Sequence, residues 1–398
     1  MKKLIYLSLA LLIAVGFSCK SESSQDSLQG MIDKGLDRSL AQVKLMAADL
    51  MSQPDKLPRT IGKDGSFATS NSSWWCSGFF PGELWMLYEY TGDEALKTYA
   101  DNYTRRVEKE QFNTGTHDLG FMLYCSYGHA YRLTGDEYYK NVLIQGANSL
   151  CTRFRPNIGI IQSWGSSKKW QCPVIIDNMM NLEFLEEVSK ITKDPKYDEI
   201  ANSHAHVTIK NHFRDDFSTF HVVNYDTLST EVLALQTAQG YADESSWARG
   251  QAWGLYGYTM MYRETKKAEY LEQARHIAQF IMNHPNLPAD KVPYWDFNAP
   301  NIPNEERDAS AGSIIASALI ELCQFVEGDE SKAYCDLACQ ILKTLTSDEY
   351  LAEVGTNCNF ILKHSVGSKP GHSEVDVPLT YADYYYIEAL LRLKKLLK

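Results

Sequence analysis

Five times in this chain one helical pattern stops and another starts within four residues, and that repetition limits the folds open to it. The turns are Thr91-Gly92-Asp93-Glu94, Thr134-Gly135-Asp136-Glu137, Thr192-Lys193-Asp194-Pro195, Thr265-Lys266-Lys267-Ala268 and Glu327-Gly328-Asp329-Glu330. Each reads as a helix end followed at once by a new N-cap. The helices after the turns are amphipathic and charged, as at 268–282, and suit a solvent-facing layer. Those before the turns, at 82–90, 119–133, 178–191, 252–264 and 312–326, are rich in Ala, Gly, Met and aromatics and read as buried on most sides. A further buried helix is expected at 381–396 and a further outer one at 31–51. Six buried helices alternating with six outer ones predict an all-α fold, the (α/α)6 toroid or six-hairpin barrel, as a single domain over 28–398. The long loops, 53–80, 154–176, 219–250, 284–310 and 354–380, all precede buried helices, so function is expected on the rim they form.

The N-terminus stands apart. Lys2 and Lys3 lead an apolar run over 4–17 that ends in the small residues Gly16 and Ser18, just before Cys19. Residues 1–18 read as a signal peptide, since the run is too short for an ordinary membrane span. Cys19 resembles a bacterial lipoprotein acylation site. The expectation is an exported protein, periplasmic or on the cell surface, held to the membrane only by a lipid on Cys19 through a polar tether over 19–27.

Without Lys2 and Lys3 the chain has 37 basic and 50 acidic residues, 37 − 50 = −13. With no Lys/Arg cluster, this balance argues against nucleic acid and long polyanions as partners. The eight cysteines after Cys19 lack the tight spacing of a disulfide scaffold or zinc ribbon and read mostly as core thiols. Cys335 and Cys339 share a helix face, where apolar packing is favoured over metal ligation.

Two of the buried helices open beside an acid, Asp118 in THDLGFM and Asp177 in IIDNMMNL. An Asp in that place can be an N-cap and nothing more. Asp177, however, follows Val174-Ile175-Ile176 and precedes Met179-Met180, a setting that would raise its pKa if it is desolvated. A helix N-terminus or a nearby cation would act in the other direction. Two acids on adjacent helices can therefore differ in protonation, which acid–base chemistry at a sugar requires.

Tryptophans crowd the same loops: Trp74, Trp75, Trp164, Trp170, Trp247, Trp253 and Trp295. Indoles in polar loops suit the apolar C–H faces of a pyranose, and Trp75, Trp164 and Trp253 are the expected platforms. Arg249, in WARGQAW, is suited to a bidentate contact with a ligand carboxylate, the alternative being a rim salt bridge. His204 and His206 read as surface residues of an outer helix, while His221 falls in a rim loop. There is no HExxH, Walker loop, dinucleotide fingerprint or GxSxG elbow, so neither a metal nor a cofactor is expected.

Taken together, SSWWCSGFFPGELW, THDLGFM, IIDNMMNL, WARGQAWGLYGY, DASAGSIIASAL and VPLTYADYYYIEALLRL resemble the unsaturated glucuronyl hydrolases of glycoside hydrolase family 88. The resemblance implies an (α/α)6 barrel and an exo-acting enzyme. Its substrates would be small lyase-generated oligosaccharides bearing a 4,5-unsaturated uronic acid at the non-reducing end. It assigns Asp177 as the main acid/base and Asp118 as its essential partner, with Trp75, His117, Trp164, His221, Gln239, Arg249 and Trp253 binding the unsaturated sugar. The implied reaction begins at the double bond: protonation at C4, water addition at C5, then rearrangement of the hemiketal and loss of the next sugar. Ser365, Ser368 and Lys369, in the loop 364–378, are candidates for contact with a sulfate or hydroxyl of the leaving sugar, expected to come from a glycosaminoglycan. An unsaturated rhamnogalacturonyl hydrolase acting on pectin fragments, or a non-catalytic sugar-binding lipoprotein, remain as alternatives.

Overall fold

The computed structural model describes residues 22–398, with side chains from Ser27 onward. The expected signal peptide and Cys19 lie outside the described residues. The chain is helix-rich. It opens with α1 (Glu22–Leu50), α2 (Phe79–Thr91) and α3 (Glu94–Arg105). A π-helical stretch, Gly120–Gly128, runs on as α4 (His129–Thr134) and is followed by α5 (Glu137–Cys151). A 3-10 turn, Ile176–Asn181, runs on as α6 (Leu182–Thr192) before α7 (Pro195–Asn211). Then come α8 (Ala248–Thr265), α9 (Ala268–Asn283), α10 (Ala309–Leu322), α11 (Gly328–Leu345) and α12 (Thr380–Leu396). The first helix thus starts nine residues before the expected 31 and takes in residues 22–27 of the segment expected as a tether.

The recurring turns do what their residues allow. Gly92, Gly135, Lys193 and Lys266 each adopt the left-handed conformation that ends a helix, with φ from 58° to 69°. Their N–H groups close back on Tyr88, Tyr131, Ser189 and Tyr262, satisfying carbonyls the helix leaves over. One residue later, Asp93, Asp136 and Asp194 accept from the N–H of Ala95, Tyr138 and Lys196 and so start the next helix.

Alternate elements are buried. Every residue of α10 is buried, as is α8 from Ala248 to Met261. The buried elements pack in succession: α12 on α2, α2 on the π-helical stretch, that stretch on α6 and its 3-10 turn, these on α8, α8 on α10, and α10 back on α12. Each buried element also packs against an outer helix: α12 on α1, α2 on α3, the π-helical stretch on α5, α6 on α7, α8 on α9 and α10 on α11.

Away from the acids, charged side chains knot four buried helices together. Arg263 of α8 meets Glu183 and Glu321, and Arg392 of α12 meets Glu321 and Glu388.

The long loops are more ordered than an all-α reading implies. They carry β1 (Leu57–Ile61) with β2 (Phe67–Ser70), β3 (Phe154–Arg155) with β4 (Ile160–Ile161), a three-stranded sheet, and a final hairpin. The sheet has the order β5 (Cys172–Ile175), β6 (Val222–Tyr225), β7 (Val232–Gln236), and the hairpin is β8 (Ser365–Ser368) with β9 (Ser373–Val377); all pairings are antiparallel.

Two sequence expectations are corrected. Cys323 and Cys335 are paired as a disulfide, because the α10–α11 turn brings their Cα atoms to 5.9 Å. His204 is fully buried: its Nδ1 accepts from the Ile161 N–H (3.0 Å), completing β4, whereas His206 is exposed and paired with Glu269. Among the described residues no helix is long and apolar enough to cross a membrane.

Candidate active site

Asp177 is placed by what precedes it. β5 enters the interior through Val174 and Ile175, pairing with Val223 and Val222. The Ile176 N–H then donates to the His221 carbonyl (3.1 Å), tying the turn that bears Asp177 to the segment that bears His221. Asp177 is 8 % exposed, and burial pushes its carboxyl up to about 7. The positive charge of Arg249 and the residue's own backbone N–H oppose this rise, and the negative charge of Asp118 adds to it.

Asp177 Oδ2 has no hydrogen-bond partner and faces His221 Nε2 at 3.6 Å. His221 Nδ1 accepts from the backbone N–H groups of Ala238 and Gln239, both at 3.1 Å. An accepting ring nitrogen carries no proton, so the proton of the neutral ring sits on Nε2, toward the acid. Burial, with Arg249 nearby, holds the His221 pKa down to about 3. The ring lies 4.4 Å from the Trp247 ring.

Asp118 is less enclosed, with its side chain 21 % exposed. Thr116 Oγ1 donates to its Oδ2, and His117 Nε2 lies 3.3 Å from its Oδ1. Neither acid caps a helix: the residues at those positions are Leu119 and Ile175, and no side-chain cap bond forms at either. This removes the alternative that both acids are merely structural N-caps.

Arg249 differs from the expected free fork. It is 1 % exposed, its Nη1 donates to Asp308 Oδ2 (3.2 Å) and to the Val366 carbonyl, and its Nη2 donates to the Gly367 carbonyl (2.7 Å). Three of its five donors are thus engaged. Its guanidinium also lies 4.5 Å from the Trp247 ring and 5.2 Å from the Tyr381 ring. It is a fixed cation close enough to act on the charge of Asp177, and it ties α8 to β8. Gln239 joins the same strand, donating from Nε2 to the Gly367 carbonyl (3.1 Å).

The three expected aromatic platforms divide. Trp75 is half-buried, packed on Tyr381 (4.7 Å), Phe121 (5.3 Å) and Phe79 (5.9 Å). Trp164 is also half-buried and meets Trp170 edge-on at 5.0 Å. Trp253 offers no open face: it is fully buried between Phe121 (5.1 Å) and Tyr385 (5.5 Å). Its Nε1 makes no hydrogen bond, yet it lies near enough to Asp177 to favour the carboxylate.

The leaving-sugar candidates are also altered. Ser365 is fully buried with an unpartnered hydroxyl, and only Ser368 is half-exposed. Lys369 is paired with both Glu305 and Glu306, so its charge is already balanced. Sequence reasoning gave no role to Asp308, the partner of Arg249, or to Tyr381, whose buried hydroxyl has no partner. Both stand at the start of a buried helix, Asp308 as the N-cap of α10 and Tyr381 in the first turn of α12, and that position was the available signal. Among the described residues no group of three or more His, Cys, Asp or Glu is placed to hold a metal ion.

A family model described as Glycosyl Hydrolase Family 88 matches residues 50–392. An unsaturated glucuronyl hydrolase of Formosa agariphila is 44 % identical, covering 100 % of both chains. An unsaturated chondroitin disaccharide hydrolase of Streptococcus pyogenes serotype M1 is 32 % identical over 92 % of this chain and 91 % of its own. A crystal structure of an unsaturated glucuronyl hydrolase specific for heparin superposes with a TM-score of 0.90 at 49 % identity, covering 92 % of this chain and 98 % of that one. A match that takes in nearly all of the described residues, together with a relative similar from end to end, places the chain: it belongs to glycosyl hydrolase family 88.

Proposed function

We propose that the chain, a glycoside hydrolase, is an exo-acting unsaturated glucuronyl hydrolase. It removes a 4,5-unsaturated uronic acid from the non-reducing end of small glycosaminoglycan fragments. The observation that carries this is the burial of Asp177 opposite His221: burial raises its pKa to about 7, so that at neutral pH part of the carboxyl can hold a proton and give it to a carbon–carbon double bond. An ordinary exposed Asp would be ionised there.

In the proposed sequence Asp177 protonates C4, and positive charge develops at C5 and the ring oxygen. The negative charge of Asp118, which is less enclosed than Asp177, favours that charge. Asp177, now a carboxylate, takes a proton from water as the water oxygen bonds to C5. The hemiketal then opens and releases the next sugar. The Nε2–H of His221 aims a donor into the same space, and Trp75 and Trp164 supply half-open indole edges for the sugar. The pectin and binding-only alternatives lose ground because the similar proteins are unsaturated glucuronyl and chondroitin disaccharide hydrolases.

The same reading takes the succession of buried helices as a closed (α/α)6 toroid, with catalytic domain 28–398. It takes Cys19 as a lipid-anchoring residue of an exported protein. Cys19→Ser should release the protein from the membrane fraction of the expressing bacterium.

The activity is tested with an unsaturated glycosaminoglycan disaccharide, following loss of the conjugated alkene's ultraviolet absorbance. Asp177→Asn and Asp118→Asn should each cost about 10²-fold or more in kcat. In deuterium oxide the product should carry one deuterium at C4. A product with none, formed at full rate, means direct displacement and sinks the hydration mechanism.

A further inference from the structure

We infer that Asn181 is a positioning residue that fixes the spacing of the two acids through the backbone of Gly120; this rests on the assignment of Asp177 and Asp118 just given. Asn181 ends the 3-10 turn that contains Asp177 and is fully buried. An Asn where a helix begins ordinarily caps that helix, yet this side chain makes no cap bond to α6. Its Oδ1 accepts instead from the N–H of Gly120, at 2.8 Å. Gly120 lies two residues after Asp118 and opens the π-helical stretch, where a helix has N–H groups with no internal partner. One acid-bearing turn therefore caps the helix that follows the other acid.

The rest of the connection has one direction. With Oδ1 committed to Gly120, Asn181 Nδ2 donates to Asn178 Oδ1 (2.7 Å), which turns Asn178 Nδ2 toward the Ile161 carbonyl and Ser163 Oγ (3.4 Å). In a 3-10 turn residues three apart eclipse one another, so the two amides stack naturally. Asn178 adjoins Asp177, and Ser163 Oγ accepts from the Ile175 N–H (2.9 Å) on the other side of the acid. The approach is as close as the chain permits. A Cβ on Gly120 would lie 2.7 Å from Asn181 Oδ1 and 2.8 Å from the Met180 carbonyl oxygen, inside contact distance. None of these groups is placed to touch substrate. What they set is where the carboxyl of Asp177 stands relative to Asp118, and misplacement by ~1 Å can cost about 10²-fold in rate.

The test compares Asn181→Ala and Asn181→Ser with Asp118→Asn and Asp177→Asn in the same disaccharide assay, with thermal melting to establish folding. We expect Asn181→Ala to lower kcat about 10- to 100-fold while KM changes less than about threefold. Its alkaline limb should move to lower pH as Asp177 loses the raising influence of Asp118. In an Asp118→Asn background the same change should cost at most a few-fold, because the spacing it protects no longer matters. Asn181→Ser should fall between wild type and Asn181→Ala, and it carries the test if the alanine variant does not fold. Unchanged kcat, or an equal loss in the Asp118→Asn background, overturns the positioning role. Loss of folding in both Asn181 variants also overturns it, by making the pair a core element. If the two Asp variants keep wild-type turnover, the failure lies with the assignment of the acids and not with Asn181.

Discussion

Asp177 Oδ2 and His221 Nε2 face each other at 3.6 Å, each buried and neither with a hydrogen-bond partner. The gap is too long for a direct hydrogen bond and leaves a donor and an acceptor aimed at a common point. Unmet buried groups cost stability, and in an enzyme they are what the substrate or attacking water comes to satisfy.

The buried carboxyl of Asp177 ties the stability of the fold to pH. Its pKa of about 7 in the folded protein lies above the ordinary 3.8, so the acid is protonated in the folded state where it would be ionised in the unfolded chain. Its neutral form costs nothing below pH 4, and the penalty for ionising it grows as pH rises toward 7, reaching about 4 kcal/mol. Asp177→Asn removes that penalty. The variant should therefore melt several degrees above wild type at pH 8, with the difference gone near pH 4; a wild type as stable as the variant at pH 8 contradicts the raised pKa.

Catalysis should show the same group. Wild-type kcat/KM should fall above about pH 7 as Asp177 loses its proton, and this limb should vanish if the acid is not the donor.

His221 should be silent over that range. With its pKa held down to about 3, it stays neutral with Nε2 protonated from pH 5 to 9. Nitrogen NMR of histidine-labelled protein should show no titration of this ring, and His221→Gln should reduce kcat without moving the alkaline limb of the profile.

Arg249→Met should weaken the fold and shift the profile upward. It leaves Asp308, fully buried, without its cation, at a cost of about 3–5 kcal/mol. It also removes the charge that lowers the Asp177 pKa. Denaturant unfolding measures the first effect. An alkaline limb that moves down instead of up would refute the second.

Cys335→Ser should lower stability by about 3 kcal/mol under oxidising conditions, from the 12-residue loop its bond to Cys323 closes, and leave turnover unchanged. Wild type and variant should unfold alike in reductant.

The order of the helices was legible because it rests on local chemistry. Gly92-Asp93 and Gly135-Asp136 announce a left-handed end and a new cap within two residues, and nothing distant is needed to make them do so. The burial of Asp177 was legible for the same reason, since its neighbours along the chain are apolar. Arg249 was not, because its role depends on Asp308, Val366 and Gly367, which only folding brings to it. Trp253 was read as a platform because a loop Trp and a buried one have the same letter; its burial is decided by Phe121 and Tyr385 on other helices. His204 was misplaced because its partner, the Ile161 N–H, belongs to a β-strand that the helical periodicity gave no reason to expect.

The ion pairs that join Arg263 and Arg392 to Glu183, Glu321 and Glu388 clasp α6, α8, α10 and α12 to one another. A slide of any one of these helices along its neighbours would break a charge pair. The turn bearing Asp177, which runs on as α6, and Arg249, on α8, are therefore moored in one frame.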